Sequence, residues 1–379
     1  MSKVLLELAE ELQKLGWLCK VLSPTDISPD IVRYSKEKYQ QYYAESLRNY
    51  LHKYASDYDI IEYEHLYLPY PISEVSQATL FVARSVLLVH HQETIPIPTP
   101  NNWRGKMGKL IKGASRKAQI QSWISSATTT VKEADLVNVS NDDDKTELIR
   151  RGIPAEKIVV IPFGISRSRR PLFDAVSSVP PAQPTVAFIG TFDSRKGAND
   201  LPRIVQYISE ALPDVKFRLL GASYKTEKEV MSHFNINKKL IHKIQVIPKF
   251  HSEELPQLLA SCSVGIFPSY LEGFGFGVLE MLAASLPVIA YNAPGPPMML
   301  PPEYLVPRGD IKGMSDKVIT LLQDREKLTA ARIWAKQRSQ QFSWQRVAQI
   351  TSETYLRFLE FKRAVNKQQS ESKEESGYE

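Results

Sequence analysis

The stretch Phe267–Ala290, FPSYLEGFGFGVLEMLAASLPVIA, decides the fold of this chain. Its apolar beginning predicts a strand that ends at Phe267, and the glycine-rich turn that follows predicts a helix from about Gly277. Glycine lets the backbone of such a turn come close to a ligand, and the first N–H groups of the helix suit a diphosphate. The stretch therefore predicts an anion-binding turn in an α/β sheet.

Two carboxylates flank this turn: Glu272 stands before it and Glu280 lies in the first turns of the helix. Both can reach the same bound molecule, and a carboxylate accepts hydrogen bonds from sugar or ribose hydroxyl groups. A tight turn followed by an ordinary amphipathic helix is the alternative. The turn residues predicted to contact the ligand are Gly273, Phe274, Gly275, Phe276 and Gly277.

Short apolar runs alternate with helical patterns on both sides of this stretch, which is typical of βαβ units and a mainly parallel sheet. We therefore predict an α/β protein with two doubly wound, Rossmann-like domains, whose strand ends bind ligands. The predicted strands are Trp17–Leu22, Asp59–Tyr63, Ser85–Val89, Leu136–Val139, Lys157–Ile161, Val186–Ile189, Lys216–Leu220, Ile244–Ile247, Val264–Phe267 and Pro287–Tyr291.

A proline-rich stretch, Val179–Pro184, marks the predicted domain boundary. Residues 1–178 form the predicted first domain, and residues 185–342 the second. The last sixteen residues, 364–379, are almost all Lys, Glu, Gln, Ser and Gly, a composition that predicts disorder.

The composition is that of a soluble globular protein, with 43% hydrophobic residues among 379. No run of eighteen apolar residues exists, and glutamates interrupt the first apolar stretch, so neither a membrane span nor a signal peptide is predicted. Cys19 and Cys262 are predicted to be buried thiols. These features favour a cytoplasmic protein.

Two glutamates separated by seven residues, set within PSYLEGFGFGVLEMLAASLPVIA, resemble the pattern of retaining glycosyltransferases of family 4 (glycosyl transferases group 1). The segment Val186–Gly197, with its lysine–glycine loop, is similar to the start of that family's donor domain. The resemblance implies the GT-B fold: two Rossmann-like domains facing a cleft, with a C-terminal helix, here about 343–363, crossing back to the first. It also implies transfer of a sugar from a nucleotide-sugar donor to an acceptor with retention of configuration.

The resemblance also assigns roles in the second domain. Lys196 matches the lysine that neutralises the departing diphosphate, Glu280 would hold the ribose diol, and Glu272 would contact the donor sugar. Family members often have an arginine at the place of Thr191, and Arg195 would supply that charge or else face solvent.

In the first domain, His90 and His91 end a predicted strand. The resemblance implies that one of them contacts the donor sugar, since the family often has a histidine there; the alternative is that both only pack or hydrogen-bond at the strand end. The family's first domain usually opens with a strand and a glycine-rich loop, whereas this chain begins in the helix that follows them. A non-catalytic nucleotide-sugar-binding or membrane-associated protein of the same fold is therefore an alternative, as is an epimerase or a phosphorylase.

The acidic run Asp142–Asp144 resembles a metal site, but Ser140 and Asp143 have the spacing of a helix capping box. We favour the cap, and we predict neither a metal nor a cofactor.

The segment Trp103–Lys117 contains six cations and no anion. It predicts either peripheral contact with an anionic membrane or a solvated helix face. No recognised motif accompanies this charge, so nucleic acid is not a predicted partner.

Overall fold

A computed structural model describes residues 2–33, 36–95, 103–222, 224–234 and 238–376, without the side chains of 103–114 and a few others. The chain forms two compact units. The first unit contains Met1–His90, Leu110–Phe163 and Trp344–Glu379, and the second contains His91–Lys109 and Gly164–Ser343.

The helices of the described residues include two long ones, α4 and α13, and none is long and apolar enough to cross a membrane. In chain order they are α1 (Ser2–Lys14), α2 (Pro24–Ile27), α3 (Lys36–Tyr54), α4 (Trp103–Glu133), α5 (Asp142–Arg150), α6 (Arg170–Asp174), α7 (Leu201–Ala211), α8 (Glu227–Ser232), α9 (Leu255–Ala260), α10 (Phe276–Ala283), α11 (Ile311–Gln323), α12 (Arg325–Ser339) and α13 (Trp344–Ser376).

The first unit is built on a parallel sheet in the order β1-β2-β3-β4. Alternate residues of a strand face opposite sides of a sheet. Leu80 and Val82 accordingly pack with Tyr355 of α13, whereas Phe81 on the other face shares a core with Leu47 of α3. Its strands are β1 (Ile60–Glu64), β2 (Leu80–Arg84), β3 (Leu136–Val139) and β4 (Ile158–Val160).

The second unit has a six-stranded parallel sheet in the order β10-β9-β8-β5-β6-β7. The chain order reverses direction between β5 and β8, so the carboxyl ends of these two neighbours form the switch point where open α/β sheets bind ligands. The strands are β5 (Thr185–Ile189), β6 (Lys216–Leu220), β7 (Ile244–Ile247), β8 (Val264–Phe267), β9 (Val288–Tyr291) and β10 (Leu305–Val306).

The predicted doubly wound α/β class is confirmed, but two predicted strands were wrong. Trp17–Leu22 forms no strand, because Trp17 packs beside β2 and α13 and its indole N–H donates to Ser352 at 2.9 Å. The residues predicted as the strand Ser85–Val89 follow β2 in the structure. The residues of β2 are as apolar as these, and it is β2 that pairs with β1 and β3.

The terminal helix α13 belongs to the first unit, as predicted, but it is longer than the sequence indicated. The Lys362 ammonium lies 2.6 Å from the Asp135 carboxylate and donates to the Thr79 carbonyl at 2.7 Å, which anchors the helix at the start of β2. Residues 364–376, predicted to be disordered, continue the helix because Glu, Lys, Gln and Ala are good helix formers even without a core to pack on.

The second unit begins earlier than the predicted boundary, since it includes Gly164–Ser178 and the proline-rich stretch. Arg332 of α12, which is fully buried, holds this part in place. Its guanidinium donates to the carbonyls of Ser177, Ser178 and Cys262 at 3.0, 3.1 and 2.8 Å, and to that of Ser263 at 3.2 Å. Burial lowers the pKa of Arg332 to about 10, so the group stays charged at neutral pH.

We expect Arg332→Met to lower the free energy of unfolding by about 3 kcal/mol, since four carbonyls lose their donor and two of them belong to the buried residues Cys262 and Ser263. Arg325→Met, on the exposed side of the same helix with one bond to Pro180, is the matched control and should cost less than about 1 kcal/mol. Urea unfolding followed by circular dichroism measures both. Equal losses in the two variants would remove Arg332 from this role.

Candidate functional site

The loop after β5 is shaped to present Lys196. Asp193 caps a short 3-10 turn by accepting the N–H of Lys196 at 3.1 Å, and Thr191 donates to the same carboxylate at 2.5 Å. Gly197 then adopts a left-handed conformation (φ 77°), and a Cβ there would stand 2.1 Å from the Pro268 carbonyl oxygen. Only glycine lets this loop lie so close to the residues that follow β8.

The loop after β8 is fastened to the first loop by backbone and side-chain bonds. The N–H of Tyr270 donates to the Arg195 carbonyl at 2.8 Å, and the Arg195 guanidinium donates to the Leu271 carbonyl at 3.2 Å. As a result, the Lys196 ammonium reaches the Glu272 carboxylate at 2.5 Å, and Arg195 lies 3.5 Å from the same oxygen. Arg195 therefore turns toward Glu272 rather than toward solvent.

The Asp200 carboxylate anchors this loop by accepting two hydrogen bonds. Asp200 precedes α7 and accepts the hydroxyl protons of Tyr270 and Tyr291 at 2.7 and 2.8 Å. Burial and the Asp200 carboxylate raise the pKa of both tyrosines, so they remain protonated donors. The loop after β8 is thus fixed to β9 and to the start of α7.

Two glycines shape the start of α10, one through its backbone conformation and the other because a side chain would have no room. The cap residue Gly275 is left-handed (φ 92°) and offers no side-chain acceptor to the helix N-terminus. A Cβ on Gly277 would lie 2.9 Å from the Phe267 ring and 3.3 Å from the Ile189 carbonyl oxygen. The predicted helix start at Gly277 is correct to within one residue, and its first N–H groups lie beside the end of β5.

Glu280, in the second turn of α10, has a partner that the sequence did not predict. The Arg169 guanidinium donates to Glu280 Oε1 at 2.8 Å, and the two side chains are 9% and 16% exposed. The cationic run Arg167, Arg169 and Arg170 was visible in the sequence, but nothing in the run itself indicates a partner more than a hundred residues away.

In the structure of the first unit, His90 does not end a strand, contrary to the prediction. His90 and His91 lie in a 3-10 turn, Val89–Thr94, after β2. The His90 Nε2 lies 2.9 Å from the Thr128 hydroxyl, which is also 2.7 Å from the Ile124 carbonyl oxygen. His90 is buried and His91 half-buried, and contact of either with a sugar stays a prediction.

The acidic run after β3 is a helix start, although the capping residue was mispredicted. Asn141, not Ser140, caps α5, and its side-chain oxygen accepts the N–H of Asp144 at 2.8 Å. Asn141 takes this place because it is the residue with extended backbone immediately before the helix. Within the described residues, no group of three His, Cys, Asp or Glu side chains could hold a metal ion.

The basic segment 103–117 begins α4. The side chains of Arg104, Lys106, Lys109 and Lys112 lie outside the described ones, whereas Arg116 and Lys117 are exposed.

Comparison with known proteins identifies both halves of the chain. Residues 1–169 match the family model Glycosyltransferase Family 4, and residues 170–338 match Glycosyl transferases group 1. A glycogen synthase from Mycobacterium tuberculosis is 25% identical over 262 residues, which make up 66% of this chain and 60% of that protein. The chain thus spans about 60% of the length of that curated relative.

Two solved structures share the fold. The sucrose-phosphate synthase from Thermosynechococcus elongatus superposes with a TM-score of 0.67 at 20% identity, over 93% of this chain and 91% of that one. Anabaena Alr3699/HepE, solved with UDP-glucose, gives a TM-score of 0.61 at 18% identity, over 82% of this chain and 81% of that one. With its two halves matched in this order and two parallel α/β units, the chain belongs to the group 1 glycosyltransferases of the GT-B fold.

Proposed function

We propose that the protein transfers a sugar from a nucleotide-sugar donor to an acceptor with retention of configuration. The observation that carries the proposal is the meeting of Lys196 and Glu272 at the carboxyl ends of β5 and β8. This is the switch point of the sheet, and the N-terminus of α10 follows directly after it. UDP-glucose in the complex of Alr3699/HepE supports a nucleotide-sugar donor.

In this proposal the donor diphosphate lies against the N-terminus of α10, where backbone N–H groups and the helix dipole favour an anion. Lys196 leaves Glu272 for the diphosphate, whose negative charge grows as the bond to the sugar breaks. Arg195 supplies the second cation, Glu272 contacts the sugar, and the backbone of residues 273–277 follows the phosphates. Glu280 accepts hydrogen bonds from the ribose diol.

Retention is consistent with attack from the face that the diphosphate leaves. The acceptor oxygen bonds to the anomeric carbon, the carbon–oxygen bond to the diphosphate breaks, and the acceptor proton passes to the departing phosphate oxygen. Such a step requires no covalent enzyme intermediate, and it depends mainly on positioning and on charge at the phosphates.

We also propose that residues 103–117 make peripheral contact with an anionic membrane. Six cations accompany Trp103, Met107, Leu110 and Ile111 in this segment. The helical backbone from Trp103 and the exposure of Arg116 and Lys117 support the proposal, because such a helix can lie in the plane of a membrane surface.

Lys196→Ala is expected to lower kcat about a hundredfold and to raise the donor KM by less than about tenfold, because the lysine acts mostly on charge that develops in the transition state. Initial rates of nucleoside diphosphate release from UDP-glucose and other nucleotide sugars measure this split. Lys196→Arg should restore only part of the rate, since a guanidinium is larger and differently shaped. An unchanged kcat in Lys196→Ala would exclude this role.

Sedimentation with vesicles tests the membrane contact. The chain should sediment with vesicles containing phosphatidylserine, not with purely zwitterionic ones, and changing Lys106, Lys109 and Lys112 together to Gln should weaken the partition about a hundredfold, at about 1 kcal/mol per cation. Changing the exposed Lys312, Lys327 and Lys367 to Gln removes the same charge elsewhere and is the control. Equal sedimentation of the two triple variants would make the segment a solvated face.

A further inference from the structure

We infer that Arg169 is a positioning residue for the nucleotide ribose: it holds the Glu280 carboxylate in the orientation that receives the ribose hydroxyl groups. The inference rests on the proposed nucleotide-sugar donor, and it adds to that site a residue from outside the glycine-rich turn and its helix. Arg169 lies between the second unit's first residues and α6, 111 positions before Glu280.

The pair has the geometry of a positioning contact. Arg169 Nη2 donates to Glu280 Oε1 at 2.8 Å, while the Glu280 side chain keeps 16% of its surface exposed. Among the described residues, no other group bonds to the Glu280 side chain. One carboxylate oxygen is therefore held by the arginine, and Oε2 is left to accept from a ligand.

Arg169 is buried and packed against an aromatic ring, which restricts its side chain as a positioning role requires. Its guanidinium carbon lies 5.3 Å from the centre of the buried Phe173 ring, and its side chain is only 9% exposed. The next residue, Arg170, fastens the same segment by donating to the Ser339 and Phe342 carbonyls, both at 3.0 Å. The segment that carries Arg169 is therefore anchored independently of Glu280, so the arginine favours one orientation of the carboxylate.

A merely structural role would give a different pattern of effects. If the Arg169–Glu280 pair only held residues 166–174 against α10, removing it would have the same effect on nucleotide affinity as removing the hydrogen bonds of Arg170. If Arg169 positions Glu280, its loss should change one specific property, the preference for a nucleotide that carries ribose hydroxyls. That preference can be measured without an acceptor and without turnover.

Calorimetry on the full chain measures the affinities for UDP and for 2′,3′-dideoxy-UDP. If the unsubstituted protein binds GDP or ADP more tightly than UDP, that nucleotide and its dideoxy form are used instead. We expect the unsubstituted protein to prefer the ribose form about ten- to hundredfold, the range for hydrogen bonds to a charged group. Arg169→Met should reduce this preference to about threefold or less, and Arg169→Lys, which keeps the charge, should retain part of it.

Arg170→Met is the matched control, because it loosens the same segment without touching Glu280, and it should keep the full preference. In a Glu280→Gln background, Arg169→Met should have no further effect on the preference, since the arginine acts through that carboxylate. An unaltered preference in Arg169→Met and Arg169→Lys, or an equal loss in Arg170→Met, would overturn the inference. Failure of the unsubstituted protein to bind UDP, GDP or ADP would instead overturn the proposed function. Binding without a ribose preference would overturn the inference and the ribose contact of Glu280, but not sugar transfer itself.

Discussion

The close approach of two loops at the switch point of the second sheet is the constraint on which the site depends. Gly197 lies against the Pro268 carbonyl, where a Cβ would have only 2.1 Å. This contact brings the residues after β5 and those after β8 within bonding distance, as the 2.8 Å bond from Tyr270 to Arg195 shows. Without it, Lys196 and Glu272, which lie in separate loops, would not be held within bonding distance.

Charge balance explains why the site stays folded before a ligand arrives. A carboxylate that is only 6% exposed is costly to bury alone, and Lys196 and Arg195 at 2.5 and 3.5 Å compensate Glu272. A diphosphate brings more negative charge than one carboxylate, and the N-terminus of α10 adds its dipole. It is therefore favourable for the Lys196 ammonium to move from Glu272 to the diphosphate when such a ligand binds. Glu280 has its own arginine, so both acidic residues of the motif are paired within the second unit.

The sequence predicted the α/β class, most strands of both sheets and the turn before α10, because these depend on local periodicity and on glycine. It also predicted a role for Lys196 and Glu272, although not that they would pair. Arg169 could not be assigned, since its partner is set by packing across 111 residues and no local pattern records it. The strand at Leu80–Arg84 was missed because the apolar residues that follow it are equally strand-like, and only pairing with β1 and β3 decides between them.

The central claim is that a nucleoside diphosphate binds at the carboxyl ends of β5 and β8. A crystal structure of the chain with UDP, or with whichever of GDP and ADP binds more tightly, tests it most directly. The phosphates should lie within hydrogen-bond distance of the backbone N–H groups at the start of α10, with the Lys196 ammonium turned from Glu272 to the phosphate oxygens. A nucleotide bound away from α10, or phosphates in place with Lys196 still on Glu272, would contradict the claim.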